Sequence, residues 1–153
     1  MKRLEIKGVE FGEMTVHSGL GSFRTIDVED LSKHRVDAEY VNIPEKLAKK
    51  INDTKAKNKK VLAVGTSIMR GLESSVTSHG EVKPYDGWTN LFIYPPHIFN
   101  VANCMLTNLH VPKSALMIMA CSFGGYDLIM KAYTEAMERD YKFFTYGDCM
   151  LIL

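Results

Sequence analysis

Val61-Leu62-Ala63-Val64-Gly65-Thr66-Ser67 is the stretch on which the fold turns. Val61 to Val64 is a continuous apolar run rich in valine, which predicts a buried strand. Gly65 turns the chain, and the hydroxyl of Thr66 or Ser67 is placed to cap a helix from about Ile68 to Val76. A buried strand passing through glycine into a helix is the unit of an α/β layer. The junction frees backbone N–H groups at the positive end of a helix dipole, which suits an anion or a ribose hydroxyl. Arg70 lies one turn in, and Glu73 follows on the same face. The plainer reading is a capped helix with a surface Arg–Glu pair, since the spacing is neither a P-loop nor a dinucleotide fingerprint.

Upstream, Glu10 to Val16 reads as a strand ending at His17, and Gly19-Leu20-Gly21 imposes a loop. Ala38 to Ile43 reads as a second strand. Pro44 opens a helix to about Lys57, with Leu47 and Ile51 one turn apart on its buried side. The basic run Lys55 to Lys60 suits a helix C-terminus and its exit turn. Downstream, His79 to Gly87 reads as a loop and Leu91 to Tyr94 as a short strand stopped by Pro95-Pro96. Lys113 to Phe123 predicts a helix broken at Gly124-Gly125. Tyr126 to Arg139 predicts another, with Leu128, Ala132, Tyr133, Ala136 and Met137 in its register. Phe143-Phe144 and Met150 to Leu153 read as extended pieces. The alternation of strands and helices gives an α/β fold class, with residues 1–153 read as a single domain.

A chain of 153 residues with 46% hydrophobic and 24% charged residues is an ordinary globular composition, long enough to bury a core. A net charge of +1 carries no global signal for nucleic acid. Cys104, Cys121 and Cys149 are widely spaced and flanked by apolar residues, so they read as reduced core cysteines rather than metal ligands or nucleophiles. No metal site is expected. No apolar run approaches a membrane span, and the start lacks a signal-peptide core. A cytoplasmic protein is the resulting expectation.

The densest polar cluster is Thr107-Asn108-Leu109-His110-Val111-Pro112-Lys113-Ser114, set between apolar runs. Pro112 restricts Val111 to extended geometry, and Ser114 can cap the following helix. His110 then sits at a helix entrance, where an imidazole can act as acid, base or donor. Asn108 can hold a base edge or a carboxylate. Equally, both residues can simply satisfy loop backbone groups. Thr145-Tyr146-Gly147-Asp148 brings a second cluster before an apolar tail. Asp148 is either a carboxylate buried at a strand mouth and paired with Arg70 or His110, or a turn-forming residue. His17-Ser18-Gly19-Leu20-Gly21-Ser22-Phe23-Arg24 can bring backbone amides to a ligand, with His17 as its polar handle, or can be a plain turn. Trp88, Phe92, Tyr94 and Phe99 can stack a nucleobase, though core packing suits most of them better.

Taken together and in order, these segments resemble one family. They are His17 to Arg24, Val64 to Ser67 with Arg70 and Glu73, Gly87-Trp88-Thr89-Asn90-Leu91-Phe92-Ile93-Tyr94-Pro95, Thr107 to Ser114, and Tyr141 to Ile152. The chain is similar over nearly its whole length to the S-adenosylmethionine:tRNA ribosyltransferase-isomerases of queuosine biosynthesis. The resemblance implies the C-terminal part of a large α/β domain, without the β-barrel domain inserted in complete members, which are about twice as long. It implies transfer and isomerisation of the ribosyl moiety of S-adenosylmethionine onto a 7-aminomethyl-7-deazaguanine base in tRNA. The product is epoxyqueuosine, and adenine and methionine leave.

The family's polar positions stand at Thr66, Arg70, Glu73, Thr107, Asn108, His110, Ser114 and Asp148. Ser18 stands where a small apolar residue is usual, and Ser22 and Ser67 replace threonines. Asn90 replaces an Asp, Pro96-His97 a Gly-Tyr, and Gly124-Gly125 stands near a usual Ala-Gly. On this resemblance His110 and Asp148 are the candidate catalytic residues. Gly65, Thr66, Ser67, Arg70, Glu73, Thr107, Asn108, His17 and Tyr146 are candidates for holding S-adenosylmethionine or the tRNA base. The charged start directly before a strand and the apolar tail suggest a missing element, so the tail is expected to dock in a sheet or against a partner. That partner is a companion N-terminal half or a second copy. Inactivity of the chain alone is the expectation, with a non-catalytic binding module or subunit as the alternative. An unrelated hydrolase is disfavoured because no Gly-x-Ser-x-Gly elbow is present.

Overall fold

The computed structural model describes residues 1–153, the side chain of Phe23 excepted. The chain folds as α1 (Lys2–Ile6), β1 (Thr15–His17), β2 (Glu39–Ile43), α2 (Glu45–Ala56), β3 (Leu62–Val64), α3 (Thr66–Ser74), β4 (Tyr85–Thr89), β5 (Cys104–Asn108), α4 (Ala115–Gly124), α5 (Tyr126–Glu138) and β6 (Cys149–Ile152). Short 3₁₀ turns cover Leu20–Phe23 and Leu31–Lys33.

Two three-stranded sheets result. One has the order β1-β2-β4 and is antiparallel throughout. The other has the order β3-β5-β6, with β3 parallel to β5 and β6 antiparallel to it. This is the expected mixture of helix and sheet, and neither sheet closes into a barrel among the described residues.

Helix α3 joins the two sheets, touching β1, β2, β3 and β5. Gly71 eases that approach: a Cβ there would meet Met14 Cε at 2.5 Å and Val41 Cγ1 at 3.2 Å, so both side chains would have to shift. Met69 and Leu72 of α3 pack with Val41 and Ile43 of β2, Ala63 of β3 and Met105 of β5 in one apolar core. Met117, Met119 and Ala120 of α4 and Ile129, Tyr133 and Ala136 of α5 extend it. No single helix is long and apolar enough to cross a membrane.

Several expectations hold. The second strand and the helix opened by Pro44 lie where the sequence puts them; Ile51 is buried as expected, whereas Leu47 is half-buried against the core and Ala48 is the other buried position. Ser114 caps α4, accepting from Met117 N at 3.2 Å. The tail docks in a sheet as β6.

Others are corrected. The first strand is three residues rather than seven, and a short helix precedes it. Residues 91–94 form no strand, whereas Tyr85–Thr89, read partly as loop, do. Asp86 anchors this strand by accepting from Tyr40 Oη at 2.6 Å and Asn42 Nδ2 at 3.1 Å. Phe143-Phe144 is no strand: Phe144 sits at φ +71° in a turn, donating its N–H to Leu109 O at 2.9 Å. In α5 the inward positions are Ile129, Tyr133 and Ala136, whereas Leu128 and Met137 face out. The run Val61 to Val64 is not buried throughout: Leu62 and Val64 are exposed, and only Ala63 of β3 is buried.

Candidate functional site

The parallel pair β3 and β5 ends in a row of polar residues, and the carboxyl ends of parallel strands are where α/β sheets bind ligands. Val64 pairs with Leu106, and Gly65 N donates to Leu106 O at 2.8 Å, fixing the start of α3 against β5. Gly65 has φ +102°, a conformation that side chains resist, and is itself the cap residue of α3. The expected cap by a Thr66 or Ser67 hydroxyl is therefore absent: both residues lie inside the first helical turn. Thr66 is buried, and Ser67 accepts from Ser18 Oγ at 3.1 Å, tying the glycine loop to the helix start.

Two of the candidate charges are deep in the protein. Arg70 is 3% exposed and pairs with the Glu39 carboxylate of β2. Ser22 Oγ donates to Glu39 at 2.7 Å, and Gly19 N donates at 3.2 Å. Burial holds the Arg70 guanidinium below its ordinary pKa. Glu39 is thus a residue that sequence reasoning missed, and its carboxylate gathers the glycine loop, β2 and α3 at one point. Glu73 is buried too. It accepts from Asn100 N at 3.0 Å and Val101 N at 2.9 Å, and His97 Nε2 lies 3.5 Å away. The surface Arg–Glu pair is not what forms; each charge has its own buried partners.

At the end of β5, Thr107 Oγ1 and His110 Nε2 share a hydrogen bond of 2.7 Å. The His110 backbone N–H donates to Tyr133 Oη at 2.8 Å. Burial drives the His110 imidazole down from 6.5 to about 4, so it is neutral at physiological pH. Burial pushes the Tyr133 phenol up. Asn108 donates from Nδ2 to Asp148 O at 3.2 Å, and its register partner is Cys149.

Asp148 is exposed, and its carboxylate accepts from Lys142 N at 2.8 Å while its own N–H donates to Lys142 O at 2.7 Å. It closes a turn and bonds neither Arg70 nor His110 among the described contacts. Tyr146 is fully exposed. His17 is exposed on the other sheet, its ring 5.1 Å from that of Tyr40.

The structure therefore gathers Gly65, Thr66, Ser67, Thr107, Asn108, His110 and Asp148 along one edge, with Ser18 reaching it from the glycine loop. Arg70 and Glu73 support that edge from within. That edge is a shelf on which Thr66 and Thr107 are buried, Ser67, Asn108 and His110 half-buried and Asp148 exposed. A surface cavity of about 520 Å³ lies elsewhere, lined by Ile26, Asp27, Val28, Glu29, Leu31, Lys113 and Ile118. Its lining mixes apolar side chains with Asp27, Glu29 and Lys113 and includes none of the candidate site residues.

Residues 1–152 match the family described as queuosine biosynthesis protein. The chain is 53% identical over all 153 residues to an S-adenosylmethionine:tRNA ribosyltransferase-isomerase of Flavobacterium psychrophilum. It is 51% identical over the same span to that of Phocaeicola vulgatus. In both cases it covers 100% of this chain and 44% of the relative, so it spans less than half the length of these curated relatives. The structure superposes on the crystal structure of an S-adenosylmethionine tRNA ribosyltransferase from Thermotoga maritima with a TM-score of 0.81 at 36% identity. That match covers 99% of this chain and 48% of the other, as expected for a portion of the larger fold.

Proposed function

The chain belongs to the queuosine biosynthesis protein family, and on that premise we propose that it forms one wall of a site for S-adenosylmethionine-dependent ribosyl transfer to tRNA. In this reading residues 1–153 are a single, partial α/β domain. The ribosyl moiety of S-adenosylmethionine passes to the amine of a 7-aminomethyl-7-deazaguanine base and is isomerised, giving epoxyqueuosine with loss of adenine and methionine. The work belongs in the cytoplasm, where tRNA is modified.

The observation that carries the proposal is the polar shelf at the ends of β3 and β5, where the Thr107–His110 pair lies beside the turn of Asp148. The reaction needs a proton removed beside the sulfonium and a neutral acceptor amine. An imidazole with a pKa near 4 takes up a proton poorly at neutral pH. His110 is therefore better suited to orienting the substrate through hydrogen bonds in the arrangement described. Asp148, with an exposed carboxylate, is suited to holding and orienting the acceptor amine by charge and hydrogen bonding. The free N–H groups of the first turn of α3, next to Ser67, suit a ribose hydroxyl or the carboxylate of the methionine part. Arg70 and Glu73 act as supports rather than as ligands.

The length of the relatives favours a chain that needs further polypeptide for activity. The test is adenine release from S-adenosylmethionine in the presence of tRNA carrying the 7-aminomethyl base. The chain alone is expected to release none. Release is expected once the remaining half of a relative is supplied. Release by the chain alone overturns the requirement for a companion. No release from a formed complex favours the binding-module reading.

A further inference from the structure

The β1-β2-β4 sheet turns Glu39, Val41 and Ile43 of its central strand into the protein. Side chains alternate along a strand, so the other face carries Tyr40 and Asn42, with Thr15 and His17 of β1 and Asp86 and Trp88 of β4. The register sets these six in two rows. His17 pairs with Tyr40 and Tyr40 with Trp88, so three rings cross the whole sheet, their centroids 5.1 and 5.9 Å apart. Thr15, Asn42 and Asp86 form the row beside them. His17 is exposed, and Trp88 is 67% exposed. Hydrogen bonds hold the rings in place: Tyr40 Oη donates to Asp86 at 2.6 Å, and Tyr85 Oη donates to Trp88 O at 2.8 Å. Antiparallel sheets commonly leave one face to water, but rings in line on such a face, rimmed by polar groups, mark a binding surface.

We infer that this row of rings is a stacking platform for unpaired nucleotides of tRNA, those next to the base held at the polar shelf. Aromatic side chains on an exposed sheet are a recurrent means of holding unpaired RNA bases, because every base has a π-face. The composition of the face favours bases over other occupants. None of its six residues is aliphatic, whereas a covering layer of polypeptide calls for surface such as Val41 and Ile43 give on the inner side. None is a lysine or arginine, and the one carboxylate, Asp86, already accepts from Tyr40 and Asn42, so phosphates have no partner there. The row is also continuous with the shelf. Ser18, next to His17, donates to Ser67 at the start of α3, and Glu39, next to Tyr40, accepts from Gly19 and Ser22 of the glycine loop. An RNA strand with one base at the shelf is led across that loop onto the rings. The inference rests on the functional reading in which the chain acts on a base in tRNA.

The test is binding of a fluorescein-labelled RNA stem-loop whose loop carries the 7-aminomethyl-7-deazaguanine base, read by anisotropy without S-adenosylmethionine. The protein is a single polypeptide joining this chain to the remaining portion of the Flavobacterium psychrophilum relative. Trp88→Phe keeps a ring and is expected to bind within about twofold of the parent. Trp88→Leu keeps only apolar bulk and is expected to bind about tenfold more weakly, with unchanged circular dichroism. A stem-loop without the two bases flanking the target is expected to bind the parent and Trp88→Leu alike. Parent-like binding of the intact stem-loop by Trp88→Leu overturns the platform. So does a loss that persists with the stem-loop lacking the flanking bases. A Trp88→Leu defect confined to S-adenosylmethionine binding gives the rings to its adenine and overturns the assignment to RNA. Adenine release from the same proteins separates the two readings. A Trp88→Leu binding defect in a protein that releases no adenine refutes ribosyl transfer alone. Parent-like binding by Trp88→Leu in a protein that does release adenine refutes the platform alone. A joined protein that binds no stem-loop overturns both.

Discussion

Arg70 of α3 and Glu39 of β2 form an ion pair with 4% and 1% of their side chains exposed. Removing one member leaves the other charged and dry. Arg70→Met alone is expected to cost about 3–5 kcal/mol in urea denaturation. Arg70→Met with Glu39→Leu is expected to recover most of that loss, because neither charge of the pair is then left buried without its partner. Equal losses in the single and double variants sink this account of the pair.

The pH dependence of stability has a definite sign at His110. Its pKa falls from 6.5 to about 4 on folding through burial, so the unfolded chain binds the extra proton between those values. The neutral imidazole's contribution is full above pH 6.5 and is lost as pH falls through 4, by up to roughly 3 kcal/mol. His110→Gln is expected to flatten the melting-temperature profile between pH 7 and pH 4.5. A profile parallel to that of the parent chain contradicts the burial of this ring.

Tyr133 holds the other side of the same residue. Its hydroxyl accepts the His110 backbone N–H, and the ring is 5% exposed. Tyr133→Phe keeps the ring and leaves that donor unpaired, at an expected cost of roughly 1–3 kcal/mol. Faster hydrogen exchange at the His110 amide is the accompanying readout. An unchanged exchange rate means that the amide has another acceptor.

Asp148 combines a turn role with its proposed chemical one, and Asp148→Asn separates them. The amide oxygen can still accept from Lys142 N, so the turn and the melting temperature are expected to hold within about 0.5 kcal/mol. Adenine release by the completed enzyme is expected to fall about a hundredfold or more if the carboxylate orients the amine. Parent-like release with asparagine limits Asp148 to the turn.

Much of this fold was legible because local signals carried it. Pro44 announces α2, Ser114 announces α4, and Gly65 marks the turn between β3 and α3. Strand β5 was harder: Cys104-Met105-Leu106 neither alternates nor is β-branched, yet it is the centre of its sheet. In α5 Tyr133 and Ala136 face in as their spacing says, but Leu128 and Met137 face out and Ile129 takes the inward place, because hydrophobicity alone does not say which apolar residues face in. The site divides similarly. The clusters at Thr107 and Gly65 were visible as polar residues crowded at strand ends. Glu39 was not, since its partner Arg70 lies 31 residues away and nothing near Glu39 signals an ion pair. The burial of Arg70 and Glu73 was hidden for the same reason.

The position of β5 between β3 and β6 also sets an order of events during synthesis. Leu62 pairs with Cys104, and Met105 pairs with Ile152, so both partners of the central strand are distant in the chain. Such non-local pairing is slow, because a long loop must close before any contact rewards it. While the ribosome is still making the segment after Asn108, β5 has only β3 to bond, and its other edge is bare. Asn108 and the turn of Asp148 meet only once β6 has emerged. The polar shelf is therefore among the last parts of this chain to form, and a nascent chain stalled before Cys149 carries its residues without their arrangement.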